Sequence, residues 1–276
     1  MPELPEVESV RRGLAKTIKN RKIKKVDLIY SKLVNGDTDV FIKTIKGQEI
    51  INLNRRGKFL YIELGNGETI VSHLRMEGKY SVEEKATKAH KHTELILDLD
   101  DGSRVFYDDT RKFGRMQLAK TGAVEDFVKS IASMGPEPNK KDLKIEYFIN
   151  KLAESKKEIK AWLLDQNNVA GIGNIYADEV LWMSKIHPQT PANKLTKKQA
   201  ETLRENIIEE LKFATTKGGS TVHSFKSLNG KTGQMQNYLH AYGKKGLPCE
   251  RCGTTMEKIR VAQRGTTFCP NCQQLQ

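Results

Sequence analysis

Four cysteines, Cys249, Cys252, Cys269 and Cys272, constrain this chain more than any other feature: two residues separate the members of each pair and sixteen separate the pairs. Two thiolate pairs on two short turns can close a tetrahedral four-thiolate site with no position left for a reacting water, so one structural zinc ion is expected. Redox chemistry would need a single pair in a thioredoxin-like setting, which is absent. All four lie in the last 28 residues, so a chain-wide disulfide framework is not expected. Gly253 and Gly265 suit the tight turns of such a module. Residues 241–276 carry Lys244, Lys245, Arg251, Lys258, Arg260 and Arg264 against Glu250 and Glu257, six charges against two, or net +4. That excess points the module towards DNA.

The whole chain leans the same way. It has 47 Lys and Arg against 34 Asp and Glu, for a net charge of +13. Neutralising phosphates releases condensed counterions, so a polyanionic partner is expected. With 37% hydrophobic residues the chain can bury a core, and wholesale disorder is excluded. No run approaches the roughly 18 apolar residues of a membrane span. The opening MPELPEVESV has neither a basic nor an apolar leader region, so a cytoplasmic location is expected.

Val7, Val10, Leu14 and Ile18 recur at helical spacing, and Glu6 and Glu8 sit where a helix dipole favours acids, which predicts a helix over 5–19. Strand-like runs follow at 23–30, 48–53, 58–64, 69–74, 93–99 and 103–108, with turn chemistry at Asn66-Gly67 and Asp101-Gly102. Strands joined by tight turns predict an antiparallel sandwich. Gly135-Pro136-Glu137-Pro138 reads as a linker. Beyond it the pattern is helical. Ser155 with Glu158 and Thr196 with Gln199 have capping-box spacing, the second leading into Ala200, Leu203, Ile207, Leu211 and Ala214. The expected organisation is α+β: a β-sandwich domain with an N-terminal helix over 1–134, a helical domain over 135–240 and a zinc ribbon over 241–276.

The terminus itself carries chemistry. Excision of Met1 would expose the secondary amine of Pro2, and an α-amino group is roughly a tenth neutral at pH 7, far more than a lysine. Such an amine can attack an electrophilic sugar carbon to give an iminium ion. Glu3 is placed to donate or relay a proton. On residue type alone the same two positions would also fit a mobile chain end.

MPELPEVE at the start, RRGKF around Lys58, HLRMEG at 73–78, TRKFG at 110–114, AGIGNIYADE at 170–179, GGST at 218–221 and the cysteine module occur in that order. Together they closely resemble the formamidopyrimidine-DNA glycosylase family from residue 1 to about 274. The resemblance implies a helix–two-turns–helix in the helical domain and a glycosylase with lyase activity on oxidised purines in duplex DNA. It implies Pro2 as Schiff-base nucleophile, Glu3 as proton donor, and Lys58 and Arg264 as aids to elimination that also hold phosphate. Met76, Arg111 and Phe113 would enter the duplex where the base is extruded, with Arg111 facing the orphaned cytosine. Asn174 would hold a phosphate with support from Lys156 and Lys160, and His73, His90 and His92 would be further DNA contacts. Glu77, Ser220, Thr221 and Tyr242 would surround the extruded base. A monomer is expected.

Physical chemistry supports several of these assignments. A base in a duplex is unreachable, and Met and Phe are suitable apolar fillers for the gap its extrusion leaves. Arg111 offers a planar donor fork to an unpaired base. Gly171-Ile172-Gly173-Asn174 puts small residues before a helix N-terminus, where a phosphate can approach. Taken singly, Met76 and Phe113 would fit a core, and Arg111 or Lys58 a solvated charge. The alternatives are an endonuclease VIII-type enzyme directed at oxidised pyrimidines, against which Leu4 and the Met76/Arg111/Phe113 set speak, and an inactive nucleic-acid-binding protein on the same scaffold.

Overall fold

The computed structural model describes residues 1–220 and 233–275, which divide into two compact units, 1–133 with 217–234 and 134–216 with 235–276. The chain leaves the first unit just before Gly135. The Gly135 N–H donates to the Gln166 carbonyl at 2.9 Å and Ala170 N–H to that of Pro136 at 3.0 Å, so the expected linker is stitched into the second unit. Residues 217–220 and 233–234 belong to the first unit rather than to the helical segment, and the cysteine module shares a unit with the helices.

The first unit opens with helix α1 (Leu4–Ile18), with Pro5 in its first turn, where a missing N–H costs nothing. Val7, Val10, Leu14 and Ile18 are fully buried, each contributing about 1.5–3 kcal/mol through lost apolar exposure. Glu8 on the polar side hydrogen-bonds Arg11 and Arg12 and pairs with Arg55 of the neighbouring strand. Then follow β1 (Ile23–Leu28), α2 (Thr38–Ile45), β2 (Ile50–Arg56), β3 (Phe59–Leu64), β4 (Glu68–His73), β5 (Lys79–Glu83), β6 (Thr93–Leu99), β7 (Arg104–Asp108) and β8 (Arg115–Lys120). Two short helices, α3 (Val124–Phe127) and α4 (Lys129–Ala132), complete the unit.

The strands form two antiparallel sheets, ordered β1-β6-β7-β5 and β2-β3-β4-β8, and share one core with α1. Alternation is clearest in β3, where Leu60, Ile62 and Leu64 point inward. The first strand stops at Leu28, short of the expected 30, because the N–H groups of Ile29 and Tyr30 both turn to the Glu94 carbonyl. β2 runs on to Arg56 because its pairing continues to a two-residue turn at Gly57-Lys58, with Arg56 opposite Phe59. Strands β5 and β8 and helix α2 were not anticipated from sequence.

Register gathers one rim. Phe59 lies opposite His73, and His73 opposite Arg115. In the other sheet Asp108 lies opposite both Lys79 and Thr93. The crossings from β4 to β5 and from β7 to β8 therefore join the same ends of the two sheets. The Asn66-Gly67 and Asp101-Gly102 turns lie at the opposite ends.

The second unit contains α5 (Ile145–Ala153), α6 (Ile159–Leu164), α7 (Asn174–Met183), α8 (Lys197–Thr216) and the hairpin β9 (Glu257–Val261) and β10 (Arg264–Phe268). The Thr196–Gln199 capping box forms, with Gln199 Oε1 accepting from Thr196 N–H at 2.9 Å and Thr196 Oγ1 from Gln199 N–H at 3.3 Å. The Ser155–Glu158 box does not. Helix α6 begins only after Glu158, and the first-turn amides that have no partner within the helix are taken by another segment: Ile159 N–H donates to Thr190 O at 2.8 Å and Lys160 N–H to Pro188 O at 3.1 Å. The hairpin turn is Ala262-Gln263, both at positive φ, not Gly265. Gly265 stands in β10, where a Cβ would meet Lys258 Cε at 2.6 Å. Gly253 does occupy a left-handed turn position, at φ +75°.

Candidate functional site

The site residues of the first unit lie at the chain terminus and along the gathered rim. Pro2 and Glu3 are buried, and Glu3 is the N-cap of α1. A capping box fixes them: Glu6 Oε2 accepts from the Glu3 N–H at 2.8 Å, and the Glu3 carboxylate accepts from the Glu6 backbone. Glu6 Oε1 also accepts the Ser220 N–H at 2.7 Å, so one carboxylate joins the terminus to the start of the glycine-rich loop. Gly219 passes this carboxylate at φ +76°, where a Cβ would meet Glu6 Oε1 at 2.7 Å. Thr221 lies outside the described residues.

Lys58 occupies the β2–β3 turn and is 5% exposed. Its neighbour Phe59 packs edge-on against His73, ring centres 4.6 Å apart. His73 Nδ1 accepts from the Arg75 N–H at 3.0 Å, which leaves the ring proton on Nε2. Burial, with the charges of Arg75 and Lys58 beside it, holds the His73 pKa down at about 3. His73 is therefore a neutral donor at physiological pH.

Met76 and Glu77 are half-buried in the crossing into β5, and Arg111 and Phe113 are exposed in the crossing out of β7. The Arg111 guanidinium lies over the Phe113 ring at 4.7 Å. His90 and His92 precede β6. His90 Nε2 meets Asp108 Oδ2 at 3.2 Å while its Nδ1 accepts from His92 N–H, so both His90 nitrogens face partners within the protein. The His92 carbonyl takes the Asp109 N–H.

In the second unit, Asn174 is the first residue of α7 after the N-cap Gly173. Gln166 shapes the approach, accepting from Gly171 N–H at 2.9 Å and donating to Ile172 O at 2.8 Å. Asn174 Nδ2 donates to the Gly265 carbonyl at 3.1 Å, and its buried Oδ1 has no partner among the described residues. Arg264, next to Gly265, is exposed, as is Lys156. Lys160 differs from expectation. It is fully buried, its ammonium paired with Asp178 and within 3.3 Å of Gly265 O. Burial pushes the Asp178 carboxyl up to about 6 against the pull of that ammonium. In this structure its ammonium supports the hairpin from beneath, through Asp178 and the Gly265 carbonyl that Asn174 also holds.

Helix α7 carries the cysteine module along one side. Asp178 Oδ2 accepts Thr267 N–H at 3.0 Å, Glu179 accepts the N–H groups of His240, Ala241 and Tyr242 at 2.7–2.9 Å, and Trp182 Nε1 donates to Cys249 Sγ at 3.4 Å. The four Sγ atoms lie within 4.8 Å of one another. A tetrahedral zinc site with Zn–S near 2.3 Å needs S–S separations of about 3.8 Å. The thiolates fit one structural zinc ion with small adjustments.

Sequence reasoning missed Glu6, Gln166, Glu179 and the buried carboxylate of Asp109, which takes three backbone N–H groups of the 111–114 loop. Glu6 had a signal, since it stands at capping-box spacing from Glu3. Asp109 had another, as an Asp opening a turn-like segment. Glu179 and Gln166 act on distant or irregular backbone and leave no local pattern.

Comparison with known proteins agrees with this geometry. Residues 1–116 match the formamidopyrimidine-DNA glycosylase N-terminal domain, 134–226 its H2TH domain, and 246–275 the zinc finger found in FPG and IleRS. The formamidopyrimidine-DNA glycosylases of Lactiplantibacillus plantarum and Ligilactobacillus salivarius are each 52% identical, over 100% and 99% of both chains. The structure is similar to that of Lactococcus lactis Fpg with abasic-site DNA (TM-score 0.94, 44% identity, 99% of each chain). It is also similar to MutM with DNA containing carbocyclic 8-oxo-G (TM-score 0.93, 43% identity, 99% of this chain and 100% of that one). From the N-terminal helix to the four-cysteine module, this chain belongs to the formamidopyrimidine-DNA glycosylase family.

Proposed function

We propose that this protein is a bifunctional DNA glycosylase and abasic-site lyase that removes oxidised purines, 8-oxoguanine and formamidopyrimidines, from duplex DNA. The observation that carries the reading is the fixed terminus: Pro2 and Glu3 are buried, and a capping box and the Glu6–Ser220 bond hold them in place. A mobile chain end would need none of this. Once Met1 is removed, the Pro2 amine attacks the sugar C1′ of the damaged nucleotide, the base leaves, and an iminium ion joins enzyme and DNA. Glu3 donates and relays protons, and Lys58 and Arg264 assist the successive β- and δ-eliminations.

Met76 and Phe113 fill the gap in the duplex, and Arg111 reads O2 and N3 of the cytosine left behind. His73 and His92, with Lys156 and Asn174, hold phosphates, and Glu77, Ser220, Thr221 and Tyr242 surround the base. The zinc module holds Arg264 and Gly265 against α7. No helix among the described residues is long and apolar enough to cross a membrane. We place the enzyme in the bacterial cytoplasm, as a monomer on DNA.

The test is borohydride trapping on a duplex containing 8-oxoguanine opposite cytosine, followed by peptide mapping. The adduct is expected on Pro2, and an adduct on Lys58 would overturn the assignment. Faster release of thymine glycol than of 8-oxoguanine under single-turnover conditions would move the protein to the pyrimidine-directed class.

A further inference from the structure

The loop between β7 and β8 exposes Thr110, Arg111, Lys112 and Phe113, and the two read as entering the duplex, Arg111 and Phe113, stand on a backbone that the sequence does little to order. Lys112 between them sits at φ +57°, a left-handed conformation that a lysine adopts only when its surroundings impose it. The constraint comes from Asp109, which is fully buried at the foot of the loop. Its Oδ1 accepts the Arg111 N–H at 2.9 Å, and its Oδ2 accepts those of Phe113 and Gly114 at 3.0 and 2.8 Å. Three charge-assisted bonds from one carboxylate fix the backbone on both sides of Lys112. The Asp109 N–H is itself held by the His92 carbonyl at 3.0 Å, which ties the carboxylate to the neighbouring strand.

A second contact links this loop to the one bearing Met76. The ring of Tyr107, two residues before Asp109, lies beneath Gly78 and Gly114 together, so that a Cβ at either glycine would overlap its hydroxyl. The last turn of the Met76 loop and the last residue of the Arg111 loop thus rest on one buried side chain. Burial and the Asp109 charge push the carboxyl of the adjoining Glu94 up to about 7, so that group is only about half ionised at neutral pH.

We propose that Asp109 is the positioning residue that sets the presentation of Arg111 and Phe113, and through it the preference for cytosine opposite the lesion. Asp109 touches neither base nor sugar; it acts through the loop backbone. The inference rests on the reading of Arg111 given above. Asp109→Asn is nearly isosteric but presents an amide N–H₂ to one of the two sets of backbone donors, so one side of the loop must let go.

The experiment measures single-turnover excision of 8-oxoguanine opposite cytosine and opposite adenine, elimination at a preformed abasic site, and cleavage by trypsin after Arg111 and Lys112. Asp109→Asn is expected to collapse the cytosine-over-adenine ratio to that of Arg111→Ala. It should also open the 111–112 bonds to trypsin and keep abasic-site elimination within about threefold. Adding Asp109→Asn to Arg111→Ala should change the ratio no further, because both act through one group. Asp109→Ala, which removes both acceptors and guards against a misfolded Asn variant, should collapse the ratio likewise. A parental ratio in Asp109→Asn overturns the proposal, as does a further loss in the double variant. If the parent shows no preference for cytosine, the reading of Arg111 fails. Proteolysis then decides Asp109 by itself: new cleavage upholds its hold on the loop, and unchanged protection overturns it.

Discussion

The carboxylate of Glu6 accepts the backbone N–H of Ser220 at 2.7 Å, joining residues 214 positions apart, and accepts the Glu3 N–H at 2.8 Å with its other oxygen. The terminus proposed to react and the start of the loop proposed to cover the base therefore share one anchor.

Gly219→Ala tests that anchor. The added methyl would meet Glu6 Oε1 at 2.7 Å and place a side chain at φ +76°, a strain of about 1–2 kcal/mol before the clash is counted. Base release from 8-oxoguanine should slow by about tenfold or more, since each 1.4 kcal/mol is about a factor of ten in rate. Elimination at a preformed abasic site, which needs no grip on a base, should fall far less. Equal slowing of both steps would show that the loop entry holds the terminus and not the base.

Lys160, Lys156 and Arg264 should separate by burial. Lys160→Ala would leave Asp178 buried without its counter-charge, a loss of about 3–5 kcal/mol that a thermal melt should register. Lys156→Ala and Arg264→Ala remove exposed charges, so stability should hold while the slope of log K against log salt flattens by about 0.9 for each. A flattened slope with unchanged melting for Lys160→Ala would show that its ammonium reaches the phosphates after all.

His73 should remain neutral with its proton on Nε2 well below pH 6. Its pKa, normally 6.5, is held at about 3, so below pH 6.5 the unfolded chain takes up a proton that the folded chain refuses. This group accordingly disfavours the fold increasingly as pH falls from about 6.5 towards 3. Nitrogen-15 spectra of the imidazole should show one neutral tautomer from pH 8 to 5, and Lys58→Met should move the titration upward. A midpoint near 6.5 in the parent would mean that the ring is solvated.

Zinc removal should be read out by Trp182, whose indole N–H donates to Cys249 Sγ and whose ring stacks on His240, centres 4.6 Å apart and planes 9° from parallel. Chelation or Cys249→Ser should release the β9–β10 hairpin, shift tryptophan emission to the red and weaken DNA binding, because such modules fold with their metal. Melting of the first unit should not move. Unchanged emission on full metal loss would show that α7 holds the hairpin unaided.

What was legible in the sequence was whatever has a short repeat or a fixed spacing. The α1 stripe of Val7, Val10, Leu14 and Ile18, the Thr196–Gln199 box and the cysteine pairs are all local, and all form as expected. Strand β8 was missed because Arg115–Lys120 mixes charged and apolar residues, and only its pairing with β4 makes it a strand. Lys160 was expected to support the phosphate at Asn174, and its burial was not legible because its partner Asp178 lies on the next helix. The Ser155–Glu158 spacing misled because residues 188–190 satisfy the helix amides that a cap would have taken. Of the candidate site, the motifs gave the side chains proposed to meet DNA; of the carboxylates that hold those motifs in shape, Glu6 and Asp109 left a local signal, whereas Glu179, which caps the distant backbone of 240–242, is visible only in three dimensions.

Lys58, His73, Met76, His92, Arg111 and Phe113 gather on one rim of the sandwich, so the other rim carries none of these proposed site residues. There the Asn66-Gly67 turn is exposed, with Gly67 at φ +79°, and it links two strands whose pairing is complete on either side. A fluorophore, an affinity tag or new chain termini introduced at that turn would leave every residue of the proposed site rim in its register. The sandwich can therefore be tethered or labelled from behind while the terminus at Pro2 stays free, which an N-terminal fusion could never allow.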